Sequence, residues 1–381
     1  MQLILLPAVV HGKSLKINII YTGNIEGELE PCGCSPKTDF GGMPRTSGYL
    51  KKHKDELSPY ILLDSGNFSD KNTPQGRLKT EAMLKAFNLI QYDAVAFSEK
   101  EKRLPEVFFR QILSEYKIPV VSNLSLYNQS VTVERAGFSI NISTAPAKHR
   151  KDMLNILLTS LSVSDAKLIN GWDVIITSSG EIINVPLQTN NTIIVSGYPK
   201  GKKLGILTIQ ADNAGSVLGF EHRWQSLGND SIEDERVRSL MTDYDTKVAQ
   251  LLKKMEKPLT EKTYLGASKC AECHQPFMES WRKTRHAKAF SSLEQAGKSA
   301  NPECLECHTV GFRENGGFSS AETTPWLSNV QCEACHGLGI EHLSDYSKRM
   351  KPVTKSVCLR CHTKSSSPDF NYSIYLKKIK H

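Results

Sequence analysis

The sequence predicts two domains: an N-terminal α/β domain of layered sheets and helices, and a C-terminal, mainly α domain with little regular β structure. Three observations support this prediction. Short β-rich runs alternate with helix-like stretches from Lys16 to about Trp224, an amphipathic helix pattern follows, and eight of the ten cysteines lie between Cys270 and Cys361. Alternating strands and helices are typical of α/β folds. A cysteine-rich segment with few apolar residues needs something other than an apolar core.

Residues 1–12 predict a truncated signal peptide. The apolar stretch from Leu3 to Val10 precedes small residues that suit cleavage near Gly12, but the usual basic segment is missing, so we expect the true start to lie upstream. A first buried strand is the alternative. No stretch approaches the roughly 20 apolar residues of a membrane span. We therefore expect an exported protein, periplasmic or at the cell surface, that is not transmembrane but could still associate with a membrane or surface.

Residues 13–226 carry the α/β pattern. Its β-rich runs are "KINIIY", "YILLDSGN", "DAVAFS", "IPVVSN", "WDVIIT", "TIIVS" and "LGILTI", and its helix-like stretches include Arg77 to Ile90 and Pro105 to Tyr116, with Pro105 as a first helical residue. Residues 227–262 then predict a connecting helix. Ser231 is the expected cap, lysines close the helix and Pro258 stops it.

Residues 263–381 contain four copies of one pentapeptide, C-x-x-C-H: "CAECH", "CLECH", "CEACH" and "CLRCH". Two thiols at this spacing can form thioethers to the vinyl groups of one haem, and the adjacent imidazole then lies under the iron. Zinc sites and disulfides are the alternative, but zinc would not require the histidine every time. The pattern predicts four covalently attached haems c on Cys270, Cys273, Cys304, Cys307, Cys332, Cys335, Cys358 and Cys361, with His274, His308, His336 and His362 as proximal iron ligands.

Three further histidines are candidates for the distal face of the irons: His286, His342 and His381. His342 is expected to reach a neighbouring haem, because it lies only six residues after a proximal histidine. Three candidates for four irons leave one short. Either one haem is five-coordinate and can bind small nitrogen or oxygen ligands, or Met278, Met350, a residue of the N-terminal half or a partner subunit completes it.

The segment from Gly266 to His381 resembles the tetrahaem cytochromes c that accept electrons from hydroxylamine oxidation, the cytochrome c-554-like family. The motifs that carry the resemblance are "GASKCAECHQPFMESWRKTRHAKAF", "CLECHTVGF", "NVQCEACHGLGIEH", "CLRCHT" and the final "IKH". The resemblance implies a mostly helical domain with stacked haems and the proximal and distal ligands named above. It also implies that three bis-histidine haems beside one five-coordinate haem would be normal.

The N-terminal half resembles the 5′-nucleotidase-like metallophosphoesterases, through "INIIYTGNIEGELEP", "GGMPRTSGYLKK", "YILLDSGNFSD", "VVSNL", "WDVIITSSG" and "NTIIVSGYPKGKKLGILTI". The family's two-metal site needs carboxylates and imidazoles. Here only Asn123 matches a ligand position. Other residues occupy the remaining positions, namely Asn24, Glu26, Asn67, Ser98, Glu99, Lys100, Ser178, Ser179 and "SGYPKG". The histidines outside the motifs, His53, His149 and His222, are expected at the surface. These departures predict a domain that kept the fold and lost the hydrolase activity.

Cys32 and Cys34, in "EPCGC", lack the spacing and the following histidine needed for a fifth haem. A disulfide across one residue is strained and therefore reducible, which favours a labile redox pair. A soft metal ion, pairing with a partner protein, or two inert residues in a loop are the alternatives.

The leading hypothesis is an electron-carrying cytochrome whose partners are other cytochromes or a quinol-linked oxidoreductase. The formal net charge of +8 is roughly neutralised by the propionates of four haems, and no basic run with interleaved aromatics suggests nucleic acid. The phosphoesterase-like domain would serve docking or structure. The alternative is an enzyme that acts on a small nitrogen or sulfur compound at a five-coordinate haem. Binding of nucleotide or phosphate by the N-terminal domain is a weaker third hypothesis.

Overall fold

The computed structural model describes residues 15–124, 127–146, 149–212, 216–256 and 263–380. The predicted signal segment and His381 therefore lie outside the described residues. The chain forms two compact units, and each of them is made of two separate segments of the sequence. The first unit contains the residues up to Pro31 and Phe40–Met241, and the second contains Cys32–Asp39 and the residues from Thr242 onward.

Two six-stranded sheets make up the centre of the first unit. The first sheet has the order β12-β11-β1-β2-β3-β4 and the second the order β5-β6-β7-β8-β10-β9. The strands are β1 (Leu15–Thr22), β2 (Tyr60–Asp64), β3 (Ala94–Phe97), β4 (Val120–Ser122), β5 (Ser130–Arg135), β6 (Phe138–Ser143), β7 (Leu154–Thr159), β8 (Val174–Thr177), β9 (Leu187–Thr189), β10 (Thr192–Ser196), β11 (Lys203–Ala211) and β12 (Val217–Ser226).

In the first sheet β1, β2, β3 and β4 are parallel, and antiparallel pairings join β11 and β12 at one edge. In the second sheet β6, β7, β8 and β10 are parallel, and β5 and β9 pair antiparallel at the two edges. β1 pairs in parallel with β2, with Ile19 opposite Ile61, and β7 pairs in parallel with β8. Side chains from both sheets meet in one buried cluster, to which β1 contributes Ile17 and Ile19 and β7 contributes Ile156 and Leu158. Burying each such side chain stabilises the fold by about 1.5–3 kcal/mol. The two sheets therefore pack face to face through their apolar sides.

The helices of the first unit are α1 (Met43–Lys52), α2 (Lys54–Leu57), α3 (Pro74–Ile90), α4 (Glu106–Glu115) and α5 (Val163–Ala166), with 3-10 turns at Glu101–Arg103 and Pro199–Gly201. Thr73 caps α3, because its side chain accepts a hydrogen bond from the Gly76 amide. Pro105 has extended backbone and precedes α4, so it is the cap residue and not the first helical residue that the sequence predicted.

The long helix α6 spans Glu235–Met255. Its cap is Asp234 and not Ser231, since the Asp234 carboxylate accepts from the Arg236 amide. The same carboxylate, which is buried, accepts from Ser47 and pairs with Lys51. Burial opposes ionisation, but these partners prevail and hold the pKa of Asp234 well below its usual range. A buried acid with three partners fixes the start of the helix better than the partly exposed Ser231 could.

The second unit is built of short helices: α7 (Ala267–Ala271), α8 (Gln275–Arg282), α9 (Ala289–Gln295), α10 (Pro302–His308), α11 (Cys332–His336), α12 (Ile340–Ser344), α13 (Lys355–Leu359) and α14 (Tyr372–Ile379). Two 3-10 turns, Arg285–Lys288 and Pro325–Leu327, and an isolated β-bridge between Thr309 and Ser328 complete it. One small cluster of buried residues holds Tyr264, Phe290, Leu293, Leu305, Val310, Phe318 and Leu327. The predicted fold class is confirmed for both parts of the chain. Among the described residues, no helix has the length and apolar character needed to cross a membrane.

Candidate functional site

Each C-x-x-C-H motif forms a single helical turn. The His274 amide donates to the Cys270 carbonyl at 2.9 Å, and the His362 amide donates to the Cys358 carbonyl at 2.9 Å. Residues three apart on a helical turn share a face, so the two thiols of a motif point to the same side. Cys273 is exposed and the other seven motif cysteines are partly exposed. The thiols are thus accessible on one side of each turn, as a bifunctional attachment point requires.

The four motifs lie in two pairs. The Cys270 thiol of the first motif is in hydrogen-bond contact with the Cys332 thiol of the third. The Cys307 thiol of the second motif makes the same kind of contact with the Cys361 thiol of the fourth. Motifs that are distant in sequence are therefore neighbours in the fold, first with third and second with fourth.

Two pairs of histidine rings face each other at similar separations. The ring centres of His274 and His342 are 6.2 Å apart, and those of His286 and His362 are 6.1 Å apart. Each pair joins the histidine of a motif to one that the sequence named as a distal candidate. Two bonds of about 2 Å from nitrogen to metal, plus about 1 Å from each nitrogen to its ring centre, give about 6 Å for a bis-histidine iron. These two pairs fit that requirement.

Backbone carbonyls orient several of these rings. The Nδ1 of His308 donates to the Ala289 carbonyl at 2.6 Å, that of His336 to the Lys351 carbonyl at 3.0 Å and that of His342 to the Lys348 carbonyl at 2.8 Å. With Nδ1 engaged in this way, the lone pair on Nε2 is available to a metal. These three imidazoles are therefore oriented so that each can bind a metal ion through Nε2.

Burial keeps two of the rings neutral. It lowers the pKa of His286, with the charge on His362 adding to the effect, and it lowers the pKa of His362. A neutral imidazole is the form that binds a metal ion. Phe370 stacks on the His362 ring, with ring centres 4.8 Å apart, which fixes the plane of the imidazole.

Not every candidate ligand can be placed in this way. His381 lies outside the described residues. Met278 lies one turn after His274 on α8, and Met350 directly precedes Lys351, whose carbonyl accepts from His336. Within the described part of the chain, no group of three or more His, Cys, Asp or Glu side chains could hold a metal ion.

Sequence reasoning missed two residues that join the first and third motifs. Glu333, within the third motif, is buried, and its carboxylate accepts from the amides of Leu265, Gly266 and Gly339, each at 2.9 Å. Gln331 accepts from the Ala267 amide at 2.5 Å and donates to two carbonyls. The only signal in the sequence was an acidic residue between two cysteines, which is as common on a surface as in a core.

In the first unit, residues at the family's former metal positions converge at the ends of the parallel strands. The Asn67 side chain donates to Asn24 at 3.4 Å and to the Ser178 carbonyl at 2.5 Å, and it accepts from Ser98 at 2.8 Å. Asn123 is tied to Thr144 through both atoms of its amide. At these positions neutral amides and hydroxyls form hydrogen bonds with one another and with backbone carbonyls.

A buried acid next to these positions escaped sequence reasoning. Glu101 is 1% exposed and accepts from the amides of Asn67, Ser69 and Ser98. The sequence placed Glu99 and Lys100 in the corresponding motif, but Glu99 is exposed. The acidic and basic run "SEKEKR" gave no sign of which acid would turn inward. Glu101 anchors the loop through these backbone amides.

The three histidines expected at the surface differ in burial. His149 is exposed and His53 is partly exposed, where it pairs with Glu56 at 2.9 Å. His222 lies on β12 against Tyr21, with its Nε2 2.9 Å from the tyrosine hydroxyl, and burial lowers its pKa. His222 is partly exposed, like His53, and its ring contacts Tyr21 and Trp224.

Asp64 provides a test of this part of the structure. It lies at the end of β2, where Thr22 donates to it at 2.7 Å and the Gly66 amide at 2.8 Å. Burial outweighs these bonds and, with the charge on Glu101, raises the pKa of Asp64 to about 7. The folded state thus binds this proton up to about pH 7 and the unfolded state only up to about pH 4, so folding stability falls as pH rises through that window.

We expect Asp64→Asn to flatten this dependence, which amounts to at most about 4 kcal/mol between pH 4 and pH 8. Urea unfolding of the full chain at several pH values, with limited proteolysis near residues 60–70 as the local readout, measures it. Parallel stability profiles for Asp64→Asn and the natural chain would show that Asp64 is ionised in the folded state throughout.

The Cys32–Gly33–Cys34 turn belongs to the second unit, although the chain before Cys32 and after Asp39 belongs to the first. Both cysteines are exposed. The Cys34 amide lies 3.3 Å from the Cys32 sulfur, and Gly33 between them has φ +67°, a left-handed conformation that favours glycine. The turn therefore brings the two residues into direct contact.

Comparison with known proteins gives a different relative for each part of the chain. Residues 269–337 match the family model described as cytochrome c554 and c-prime. Over 67 residues the chain is 33% identical to cytochrome c-554 of Nitrosomonas europaea (strain ATCC 19718), a stretch that covers 14% of this chain and 28% of that protein. The chain thus matches less than a third of the length of this relative.

The N-terminal part shares its fold with two solved structures, both of proteins from Thermus thermophilus. A 5′-nucleotidase precursor superposes with a TM-score of 0.53 at 15% identity, covering 66% of this chain and 62% of the other. The sulfate thiohydrolase SoxB gives 0.50 at 14% identity, covering 61% and 60%. At such identities the likeness shows the fold alone. Both resemblances predicted from the sequence are confirmed.

Proposed function

We propose that the second unit is a tetrahaem cytochrome c that transfers electrons. The observation that carries the proposal is the pair of facing imidazoles, His274 with His342 and His286 with His362, each at the separation that one iron requires. Four C-x-x-C-H turns and the match of residues 269–337 to a cytochrome model support it. Bound haem would supply reversible one-electron oxidation and reduction of iron.

The chain's own residues would divide the work as follows. The eight motif cysteines attach the haems, and the four motif histidines hold the irons from one side. His342 completes the iron of the first motif and His286 that of the fourth. His381 is then the histidine left for the second or third motif. With haems attached, the contacts between motifs one and three and between two and four would bring the haems together as two neighbouring pairs, which would favour transfer within each pair.

The first unit is proposed to be an inactive phosphoesterase fold that serves docking or structure. Its former metal positions are occupied by neutral side chains that satisfy one another, as Asn67 does with Asn24 and Ser98. A Cβ on Gly197, in the loop that replaces the family's paired histidines, would lie 2.5 Å from the Cα of Gly23. Two loops that flank the family's metal site therefore approach each other closely here. Fold similarity alone is a poor guide to activity.

We expect no phosphatase turnover with added manganese on nucleotide or aryl phosphate substrates. The control is the same preparation after Glu26→Ala, which removes an exposed acid at a former ligand position. Manganese-dependent turnover that disappears in Glu26→Ala would contradict the proposal, and a thermal shift with nucleotide or phosphate would support a binding role for this unit instead.

The proposed partners are redox proteins, either other cytochromes or a quinol-linked oxidoreductase, and the proposed location is the periplasm or the cell surface. Covalent haem attachment is consistent with export, as is the apolar opening of the sequence. These assignments depend on the cytochrome character of the second unit and would be withdrawn with it.

The decisive experiment is the intact mass of the mature full chain, produced together with haem-attachment machinery. We expect a mass that corresponds to four haems still attached after denaturation. The same mass also gives the position of any signal cleavage. A protein of bare polypeptide mass that binds zinc stoichiometrically would overturn the proposal. A count of one to three would show that at least one motif is not used.

A second function is favoured by one observation: His308 and His336 have only His381 left between them as a distal histidine candidate. One iron would then be five-coordinate and open to a small nitrogen or sulfur compound. Spectral change of the reduced protein with carbon monoxide or nitrite would support this enzyme function. Fully low-spin spectra without any ligand response would exclude it.

The pairing of histidines makes a separate prediction. His342→Ala should convert one haem from low spin to high spin and create one new carbon monoxide site per chain, because His342 faces His274. The exposed His149→Ala is the matched control and should leave the spectrum unchanged. An unaltered low-spin spectrum in His342→Ala would show that another residue holds that iron.

A further inference from the structure

The loop from Cys32 to Asp39 is held by the segment that follows the fourth motif. The Lys37 ammonium pairs with Asp369 at 2.9 Å, and the Thr38 hydroxyl donates to the Ser365 carbonyl at 2.6 Å. Ser365 lies three residues after the proximal histidine of that motif. The loop is thus part of the haem-binding unit, although the chain reaches it from the first unit.

The two cysteines of the loop lie near the second motif. Contact with the Cys32 thiol is the main cause that raises the pKa of Cys34, with partial desolvation next, and the thiols of Cys304 and Cys307 add to it. Burial is the main cause that raises the pKa of Cys304, and contact with Cys361 is the main cause that lowers the pKa of Cys307; in both, the nearby charge of Cys32 is a smaller effect that opposes ionisation. Since Cys307 also contacts Cys361, the loop lies where the second and fourth motifs meet.

Two further features suit reversible disulfide chemistry. The left-handed Gly33 turns the chain so that Cys34 contacts Cys32, and both side chains are exposed to solvent and to reagents. A disulfide that closes over one intervening residue is strained, and strained, exposed disulfides are the labile and catalytic ones. Two haems beside this site could together exchange the two electrons that a disulfide requires.

We propose that Cys32 and Cys34 form a dithiol–disulfide couple that exchanges electrons with the haems of the second and fourth motifs. The proposal rests on the haem attachment proposed above. In one direction the two thiols lose two protons to water and form one S–S bond, and their two electrons reduce two ferric haems to the ferrous state. In the other direction two ferrous haems are oxidised, the S–S bond breaks and two protons are taken up.

A water-soluble phosphine tests this, because it gives electron pairs to disulfides and reacts poorly with one-electron acceptors. Oxidised holoprotein is mixed with the phosphine without oxygen, and haem reduction is followed by absorbance. We expect haem reduction at least about ten-fold faster than in the double variant Cys32→Ser/Cys34→Ser, because only the natural chain can pass electrons through the pair.

Alkylation followed by intact mass gives the second readout. After air oxidation and denaturation, neither cysteine of the pair should be alkylated, and after phosphine treatment both should be. The haem count in the same spectra separates the two proposals. A chain without haems overturns the proposed function, whereas a tetrahaem chain with equal phosphine rates in both proteins overturns only the redox couple.

Two other outcomes would also overturn the couple. Full alkylation of both cysteines in the air-oxidised, denatured protein would show that no disulfide forms. Protection from alkylation that a copper(I) or zinc chelator abolishes would show that the pair binds a soft metal ion instead.

Discussion

Replacing Cys358 and Cys361 together by serine is expected to yield a protein with three covalent haems instead of four. The fourth motif forms a single turn with both thiols on one side, and serine hydroxyls do not form thioethers with haem vinyl groups. Intact mass after denaturation measures the loss directly. The double variant Cys32→Ser/Cys34→Ser is the matched control, because it removes two cysteines of the same unit outside any motif and should keep four haems.

Replacing Cys358 and Cys361 should also affect His286, which lies outside the fourth motif. His286 faces His362 at 6.1 Å and would lose the iron that the two share. The low-spin signal of one bis-histidine haem should therefore disappear together with the haem. A haem count equal to that of the natural chain would show that the fourth motif binds none.

Glu333→Ala is expected to destabilise the second unit by about 3 kcal/mol or more, because three backbone amides would lose a charged acceptor in a buried place. Those amides lie at the start of α7, which carries the first motif, and directly before α12, which carries His342. We therefore also expect a lower yield of fully loaded protein. Urea unfolding monitored by haem absorbance measures the stability, and mass spectrometry measures the loading.

Glu306→Ala is a closely matched control, since Glu306 also lies between the two cysteines of a motif but is exposed. Its expected effect is within about 0.5 kcal/mol, as for most surface substitutions. Equal effects of Glu333→Ala and Glu306→Ala would show that the hydrogen bonds of Glu333 do not stabilise the unit.

The strands that the sequence predicted are those with continuous apolar runs, such as β1 and β2, and all of them are present. The missed strands include β5 and β12, two edge strands in which no residue is buried. Such strands are defined by their neighbours and not by their own pattern. The four C-x-x-C-H motifs can be read from the sequence alone, because thioether chemistry would fix their spacing locally.

What escaped prediction depends on contacts between distant residues. Nothing near Glu333 or Glu101 in the sequence says that backbone amides from other segments would surround these carboxylates. The pairing of His274 with His342 likewise follows from how α8 and α12 are folded together. Local spacing identified the candidates, and only the fold could show which of them are partners.

The short loop Cys32–Asp39 has a consequence for how this protein can be divided. The chain enters the second unit once through this loop and again through α6. The two units therefore alternate along the sequence and are not consecutive segments. No single cut separates them, and a fragment that starts at Thr242 lacks eight residues of its own unit. A substitution in this early loop would therefore affect the second unit, although the loop lies in the sequence among the strands of the first.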